Sequence, residues 1–140
     1  MKAYIAAGWF SKAQEEKLNK ILSICKDVGL SVYSPRDDFL YKEGMNPSEV
    51  FDANLAEIKA VDFVIASTEG KDMGTLFECG YAYASGKPIV YVYMGEGKFT
   101  LMLAESSTCV CTSWTILNSY LTTAVATGSI PWVRYKGVLE

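Results

Sequence analysis

The chain has 140 residues, half of them hydrophobic and 21% charged, the profile of an ordinary globular protein large enough to build a core as one domain over residues 1–140. A formal net charge of −3, with no cluster of Lys or Arg, excludes long-range attraction to nucleic acid or an anionic membrane, and no apolar run approaches the roughly 20 residues that span a bilayer. Histidine is absent, which removes Ser-His-Asp and Cys-His sites and any histidine general base, so catalysis would rest on carboxylates, tyrosines or a lysine.

Lys2 to Ala7 is predicted as a short apolar strand ending at Gly8, and because Met1-Lys2-Ala3-Tyr4 runs straight into it no signal peptide is expected. Ser11 to Val28 carries Ala13, Leu18, Ile21, Leu22 and Cys25 near helical spacing, with Ser11 placed to cap the helix and Gly29 to stop it. Leu30 to Tyr33 reads as a second strand closed by Ser34-Pro35. Arg36 to Asn46 follows as a long charged and aromatic loop, of a length that in compact domains usually serves function. Pro47 to Lys59 is a helix with Pro47 in its first turn. Val61 to Ala66 is the third strand, Ser67 to Lys71 a polar loop, and Met73 to Ser85 a helix ended by Gly86-Lys87-Pro88. Ile89 to Met94 is the fourth strand, Gly95 to Gly97 a turn, Leu101 to Glu105 a short helix, and Thr108 to Thr112 a short fifth strand. Ser113 to Thr127 is the last helix, capped by Ser113 and ended at Gly128, and the tail from Ile130 to Glu140 is apolar and aromatic enough to dock. The cysteines Cys25, Cys79, Cys109 and Cys111 form no CxxC pair. Without histidine a zinc site would need an unusual ligand set, so reduced, buried thiols in a cytoplasmic protein and no metal site are expected.

Strands alternating with helices imply an α/β fold: a five-stranded, mainly parallel sheet with helices on both faces, for which the flavodoxin-like doubly wound order is the simplest. Such sheets bind ligands outside the carboxyl ends of their strands. The segment Asp72-Met73-Gly74-Thr75-Leu76-Phe77-Glu78 falls there, with Asp72 at a helix N-cap and Gly74 allowing close approach of a ligand or backbone. The pair Asp72 and Glu78 reads either as acid or nucleophile for a small polar substrate, or as a capping Asp and a surface Glu. Trp9 and Phe10 follow the first strand on the same edge, and read either as aromatic faces for a nucleobase or as a hydrophobic lip sealing the sheet. Ala6-Ala7-Gly8-Trp9-Phe10 is neither a GxGxxG nor a Walker loop, so no dinucleotide or ATP cofactor is expected.

Taken together, these residues resemble the nucleoside 2-deoxyribosyltransferases over nearly the whole chain. The resemblance runs through Tyr4-x-x-Ala7-Gly8-Trp9-Phe10, Asn54-Leu55-x-x-Ile58-Lys59-x-x-Asp62, and Asp72-x-Gly74-x-x-x-Glu78-x-Gly80-Tyr81-Ala82 with Gly86-Lys87. It continues in Leu101-Met102 and in Tyr135-Lys136-Gly137-Val138, ending at Glu140. It implies cleavage of the N-glycosidic bond of a 2′-deoxyribonucleoside and transfer of the deoxyribosyl group to a free nucleobase. Glu78 then resembles the nucleophile that carries a covalent deoxyribosyl intermediate, as in retaining glycosidases. Its place near the start of a helix is expected to favour the anion. Tyr4 resembles the tyrosine that positions this carboxylate, and Asp72 the aspartate near the sugar. The resemblance also implies that Gly8, Trp9, Phe10 and Gly74 belong to the substrate pocket. The resemblance also implies a homo-oligomer, dimer-based, in which a neighbour's loop around Ser106 to Cys109, with Ser107 and Cys109, and a tail ending at Glu140 close each site.

One departure stands out: Ala53-Asn54-Leu55 replaces the Asn-Asp-Leu of many transferases. An amide at Asn54 hydrogen-bonds a base edge but donates no titratable proton. In the loop after the second strand, Asp38 or Arg36 is placed either to read the base edge or simply to be solvated. Related N-glycosidases that hydrolyse nucleoside 5′-monophosphates form the alternative, with Ser106-Ser107-Thr108 as hydroxyl donors to the phosphate. A non-catalytic nucleotide-binding module on the same fold is the third reading.

Overall fold

The alternation of side chains along each strand dictates the layering of this protein. The computed structural model describes residues 1–95 and 97–140, and the turn predicted over Gly95 to Gly97 contains Glu96, outside the described residues. Strand β1 (Lys2–Ala7) sends Ala3, Ile5 and Ala7 to one face and Tyr4 and Ala6 to the other. Four further strands do the same: β2 (Ser31–Tyr33), β3 (Phe63–Ser67), β4 (Ile89–Val92) and β5 (Cys109–Cys111). They form one sheet in the order β2-β1-β3-β4-β5, with every neighbouring pair parallel. The sheet is the flavodoxin-like order expected from the sequence, and the direction of winding reverses between β1 and β3.

Helices cover both faces. On one, α1 (Lys12–Asp27) and α6 (Trp114–Thr127) bury Leu18, Ile21, Ile24, Cys25, Leu117 and Leu121 against β1, β3, β4 and β5. On the other, α3 (Pro47–Ala60), α4 (Met73–Ala84) and α5 (Leu101–Ser106) supply Ile58, Cys79, Ala82 and Ala104. Predicted caps appear as bonds: the Ser11 side chain accepts from Gln14 N–H at 3.2 Å and Ser113 from Ile116 N–H at 3.1 Å. Gly128 closes α6 in the left-handed conformation, with φ of 70°.

Boundaries differ from the sequence reading where the chain satisfies a helix end first. Leu30 N–H bonds the Cys25 carbonyl, so β2 begins at Ser31. Val61 N–H bonds Glu57 and caps α3, so β3 begins at Phe63. The loop predicted from Arg36 begins with a one-turn helix, α2 (Pro35–Asp38), started by Pro35 and closed where Asp38 accepts Ser34 N–H at 2.7 Å. On α1 it is Gln14 that is buried, while Ala13 is exposed. The tail docks on its own chain through Val133 N–H to Thr108, Phe99 N–H to Val138 and Leu101 N–H to Glu140. Tyr135 and Leu139 pack inward there, whereas Trp132, Val133 and Val138 stay exposed. All four cysteines are buried free thiols, and burial pushes Cys25 and Cys79 up to about 12, leaving them inert at neutral pH.

Candidate active site

A cavity of about 290 Å³ opens at the carboxyl ends of β1 and β3, where the winding reverses. The segment after β1 supplies Trp9 and Phe10, α3 supplies Phe51, Asn54 and Leu55, and the start of α4 supplies Gly74, Phe77 and Glu78, with Asp72 at its cap. The walls are aromatic: Trp9 lies against Phe10 with ring centroids 5.0 Å apart, and Phe51 against Phe77 at 5.7 Å. Phe51 and Phe77 were not singled out from sequence. Their recurrence on facing turns of two helices becomes meaningful only once α3 and α4 are known to pack together.

Tyr4 is fully buried on the α4 face of the sheet, and its hydroxyl donates to the Glu78 carboxylate. That bond spans the layer between strand and helix and fixes the carboxylate at the cavity floor. Tyr33, opposite Tyr4 in the register of β1 and β2, stacks on it with centroids 5.6 Å apart. The Tyr33 hydroxyl in turn donates to Asn54 Oδ1 at 3.2 Å. With its oxygen so engaged, the Asn54 amide presents its N–H donors to the cavity.

Asp72 does cap α4: one oxygen accepts both the Thr75 N–H at 2.9 Å and the Thr75 hydroxyl at 2.8 Å. Its other oxygen has no protein partner among the described residues, and Asp72 also lines the cavity. The capping reading and the site reading therefore hold together for this residue. Glu78, by contrast, is no surface carboxylate. It is the sixth residue of α4, beyond the first turn where the helix end favours an anion, and burial dominates instead. Burial pushes its carboxyl up to about 7, against the lowering effect of the Tyr4 hydrogen bond and helped by the Asp72 charge. Burial thus outweighs the preference for the anion expected from the helix start. Tyr4 itself is pushed up, by burial first and by Glu78 second, and stays a protonated donor.

Other sequence-predicted site residues fall elsewhere. Gly8 is buried beside the cavity, and a Cβ there would meet the Gln14 carboxamide at 3.0 Å. Asp38 closes α2 and does not line the cavity. The Ser107 hydroxyl donates to the Ala104 carbonyl at 2.6 Å, and Cys109 lies in the core with its sulfur 3.9 Å from that of Cys111. Cys109 has almost no surface to offer a neighbouring molecule. Glu140 lines a second cavity of about 340 Å³ with Thr68, Lys71, Tyr93 and Lys98, which shares no lining residue with the first. Among the described residues no group of three or more Cys, Asp or Glu could hold a metal, and no helix is long and apolar enough to cross a membrane.

Comparisons with known proteins agree with this architecture. A family model described as nucleoside 2-deoxyribosyltransferase matches residues 3–113. The structure of a 2-deoxyribosyltransferase from Bacillus psychrosaccharolyticus superposes with a TM-score of 0.82 at 26% identity, covering 96% of this chain and 99% of that one. A CMP N-glycosidase of Clostridium botulinum shares the fold, with a TM-score of 0.61 at 18% identity over 88% of this chain and 98% of that one. A protein of Thermofilum pendens, named "Putative 2'-deoxynucleoside 5'-phosphate N-hydrolase 1", is 28% identical over 100 residues, 69% of this chain and 70% of the relative.

Proposed function

The chain belongs to the nucleoside 2-deoxyribosyltransferase family, and on that footing we propose that it moves a 2-deoxyribosyl group between nucleobases through a covalent intermediate on Glu78. One observation carries the reading: a carboxylate tethered by Tyr4 faces a cavity walled by Trp9, Phe10, Phe51 and Phe77, and among the described residues no Lys or Arg lines that cavity. Aromatic faces suit a flat base, and a lining without cations suits a sugar without a 5′-phosphate.

The chemistry follows from these parts. A Glu78 oxygen attacks the anomeric carbon as the C–N bond breaks, and the base departs with the bonding pair. Its proton comes from Asp72 or from water, because the Asn54 amide has none to give; Asn54 instead donates a hydrogen bond to an acceptor on the base edge. Where water supplies that proton, the free oxygen of Asp72 accepts from a sugar hydroxyl. A second base then attacks the anomeric carbon through a ring nitrogen and gives up its N–H proton to Asp72 or water, replacing the proton the first base took, while the Glu78 ester bond breaks and the carboxylate is regenerated beneath the Tyr4 hydroxyl. Two displacements retain the configuration.

We also assign the active form to a homo-oligomer. Leu76, Tyr83 and Met102 line a further cavity between α4 and α5 while remaining substantially exposed, and such apolar surface favours a second copy of the chain. Sedimentation should show a dimer or a multiple of it.

The deciding experiment incubates deoxynucleosides and deoxynucleoside 5′-monophosphates with and without a second base and separates the products by chromatography. New nucleoside that forms only with the second base, and a sugar adduct on Glu78 by mass spectrometry, are the expected results. Release of free sugar phosphate from the monophosphate, independent of added base, would instead assign the chain to hydrolysis, the activity carried in the name of the Thermofilum relative.

A further inference from the structure

We propose that Gln14 is a positioning residue that locks the loop carrying the base wall to the loop carrying Asp72. The inference rests on the site reading above but on different atoms. Gln14 sits on the first turn of α1 and is 8% exposed, an unusual place for a long amide unless both its ends are used. They are. Its Oε1 accepts the Phe10 N–H at 2.8 Å, and its Nε2 donates to the Glu69 carbonyl at 3.0 Å. One side chain thereby bridges the segment after β1, which ends in Trp9 and Phe10, and the helical turn Glu69–Lys71 after β3, which delivers Asp72.

The surroundings are shaped to that carboxamide. A Cβ on Gly8 would meet its atoms at 3.0 Å, and a Cβ on Gly70 would come within 2.6 Å of Nε2. Gly70 and Lys71 both hold positive φ, 71° and 53°, so the second loop takes a conformation that local preference alone does not select. The bridge and an ion pair from Lys17 to Glu69 supply the tertiary contacts that hold it. Among the described residues Gln14 makes no hydrogen bond to Glu78 or Tyr4. Its effect is on the distance between the aromatic wall and the sugar-side carboxylate, which sets how a nucleoside fits, and leaves the nucleophile alone.

Gln14→Met keeps the length and volume while removing both bonds, and Gln14→Glu keeps the acceptor for Phe10 while removing the donor to Glu69. Two measurements test the bridge. Hydrogen exchange should quicken in Gln14→Met at the segments 8–11 and 68–72 together, with β1 and β3 unchanged; in Gln14→Glu only 68–72 should quicken. For turnover, KM for the deoxynucleoside should rise about tenfold in Gln14→Met, the loss expected for two misplaced contacts, and by less in Gln14→Glu. The pH inflection of kcat/KM should stay where wild type has it, since Glu78 is untouched. Exchange that quickens at one segment only in Gln14→Met, or at neither, overturns the bridge. An unchanged KM with quickened exchange overturns its role in substrate fit. A wild-type protein inactive on every nucleoside and nucleotide would refute the proposed function, while the exchange arm would still decide the bridge.

Discussion

Replacing Glu78 with glutamine should make the protein more stable as it makes it inactive, by an amount that depends on pH in a calculable way. In the folded protein burial raises the carboxyl from its ordinary 4.5 to about 7. A raised acid favours the folded state in its protonated form: its contribution is complete below about pH 4.5 and is lost as pH climbs through 7. The loss corresponds to about 3 kcal/mol once both forms are ionised, since each pH unit of displacement is about 1.4 kcal/mol. Glutamine does not titrate, keeps an acceptor for the Tyr4 hydroxyl, and occupies the same volume. The stability difference between Glu78→Gln and wild type should therefore widen by about 3 kcal/mol between pH 4.5 and pH 8, or roughly 10 °C in Tm. Urea unfolding of both proteins at pH 5, 6, 7 and 8 measures it, and all other titrating groups cancel in the difference. A gap that stays constant across this range, or narrows as pH rises, would refute the claim that burial controls this carboxylate.

On the proposed function the same carboxylate sets the rate. As the nucleophile must be ionised, kcat/KM should rise about tenfold per pH unit below 7 and level off above it. Tyr4→Phe removes the bond that holds the carboxyl down, so the inflection should move upward, with a loss of roughly ten- to a hundredfold in rate; an inflection that stays or falls counts against the assignment. Asn54→Asp keeps an acceptor for the Tyr33 hydroxyl and adds a titratable proton, so kcat should rise roughly tenfold or more for bases that leave poorly, measured across a panel of deoxynucleosides. Deleting Gly137 to Glu140 removes three backbone bonds to Phe99 and Leu101, which should cost about 2–4 kcal/mol by chemical unfolding. A rise in KM on top of that loss would place the tail in a neighbour's site; an unchanged KM makes it packing alone.

All five strands, the helices α1, α3, α4, α5 and α6, and the residues at the carboxyl ends of β1 and β3 were legible from sequence. Apolar runs such as Val61 to Ala66, punctuated by Gly29, Pro47 and Gly128, leave little choice of period or topology. What was hidden depended on pairs distant in sequence. Tyr4 and Glu78 lie 74 positions apart, so spacing alone gives no sign of a pairing that only the family resemblance implied; they meet because β1 is an interior strand and α4 packs on its face. The ionisation of Glu78 differs from the sequence expectation for the same reason: counting along α4 gives a helix-end effect, while the burial that outweighs it comes from the sheet beneath. Gln14 escaped notice because a polar residue on the first turn of a helix looks solvated until the loop containing Gly70 is placed over it. Glu140 and Ser107 were chosen by likeness to a family, and in this chain they sit in other cavities, where only a second molecule could bring them to bear on the first.

Transfer and hydrolysis ask the same thing of Tyr4, Glu78 and Asp72. In both, the carboxylate must attack, hold the sugar as an ester, and then leave. An acid displaced to about 7 makes a stronger nucleophile and a poorer leaving group than an ordinary glutamate, and the Tyr4 hydrogen bond opposes both tendencies by stabilising the anion at either end of the cycle. The nucleophile therefore does not choose between a base and a water as the second acceptor. On the proposed mechanism that choice falls to the rim. Phe10 is 74% exposed, Phe51 50% and Phe77 54%, surface that a stacked base covers and water does not. Three large apolar groups open at the mouth of a cavity favour a flat aromatic acceptor over solvent, and they support the proposed transfer over the hydrolysis carried in the name of the Thermofilum relative.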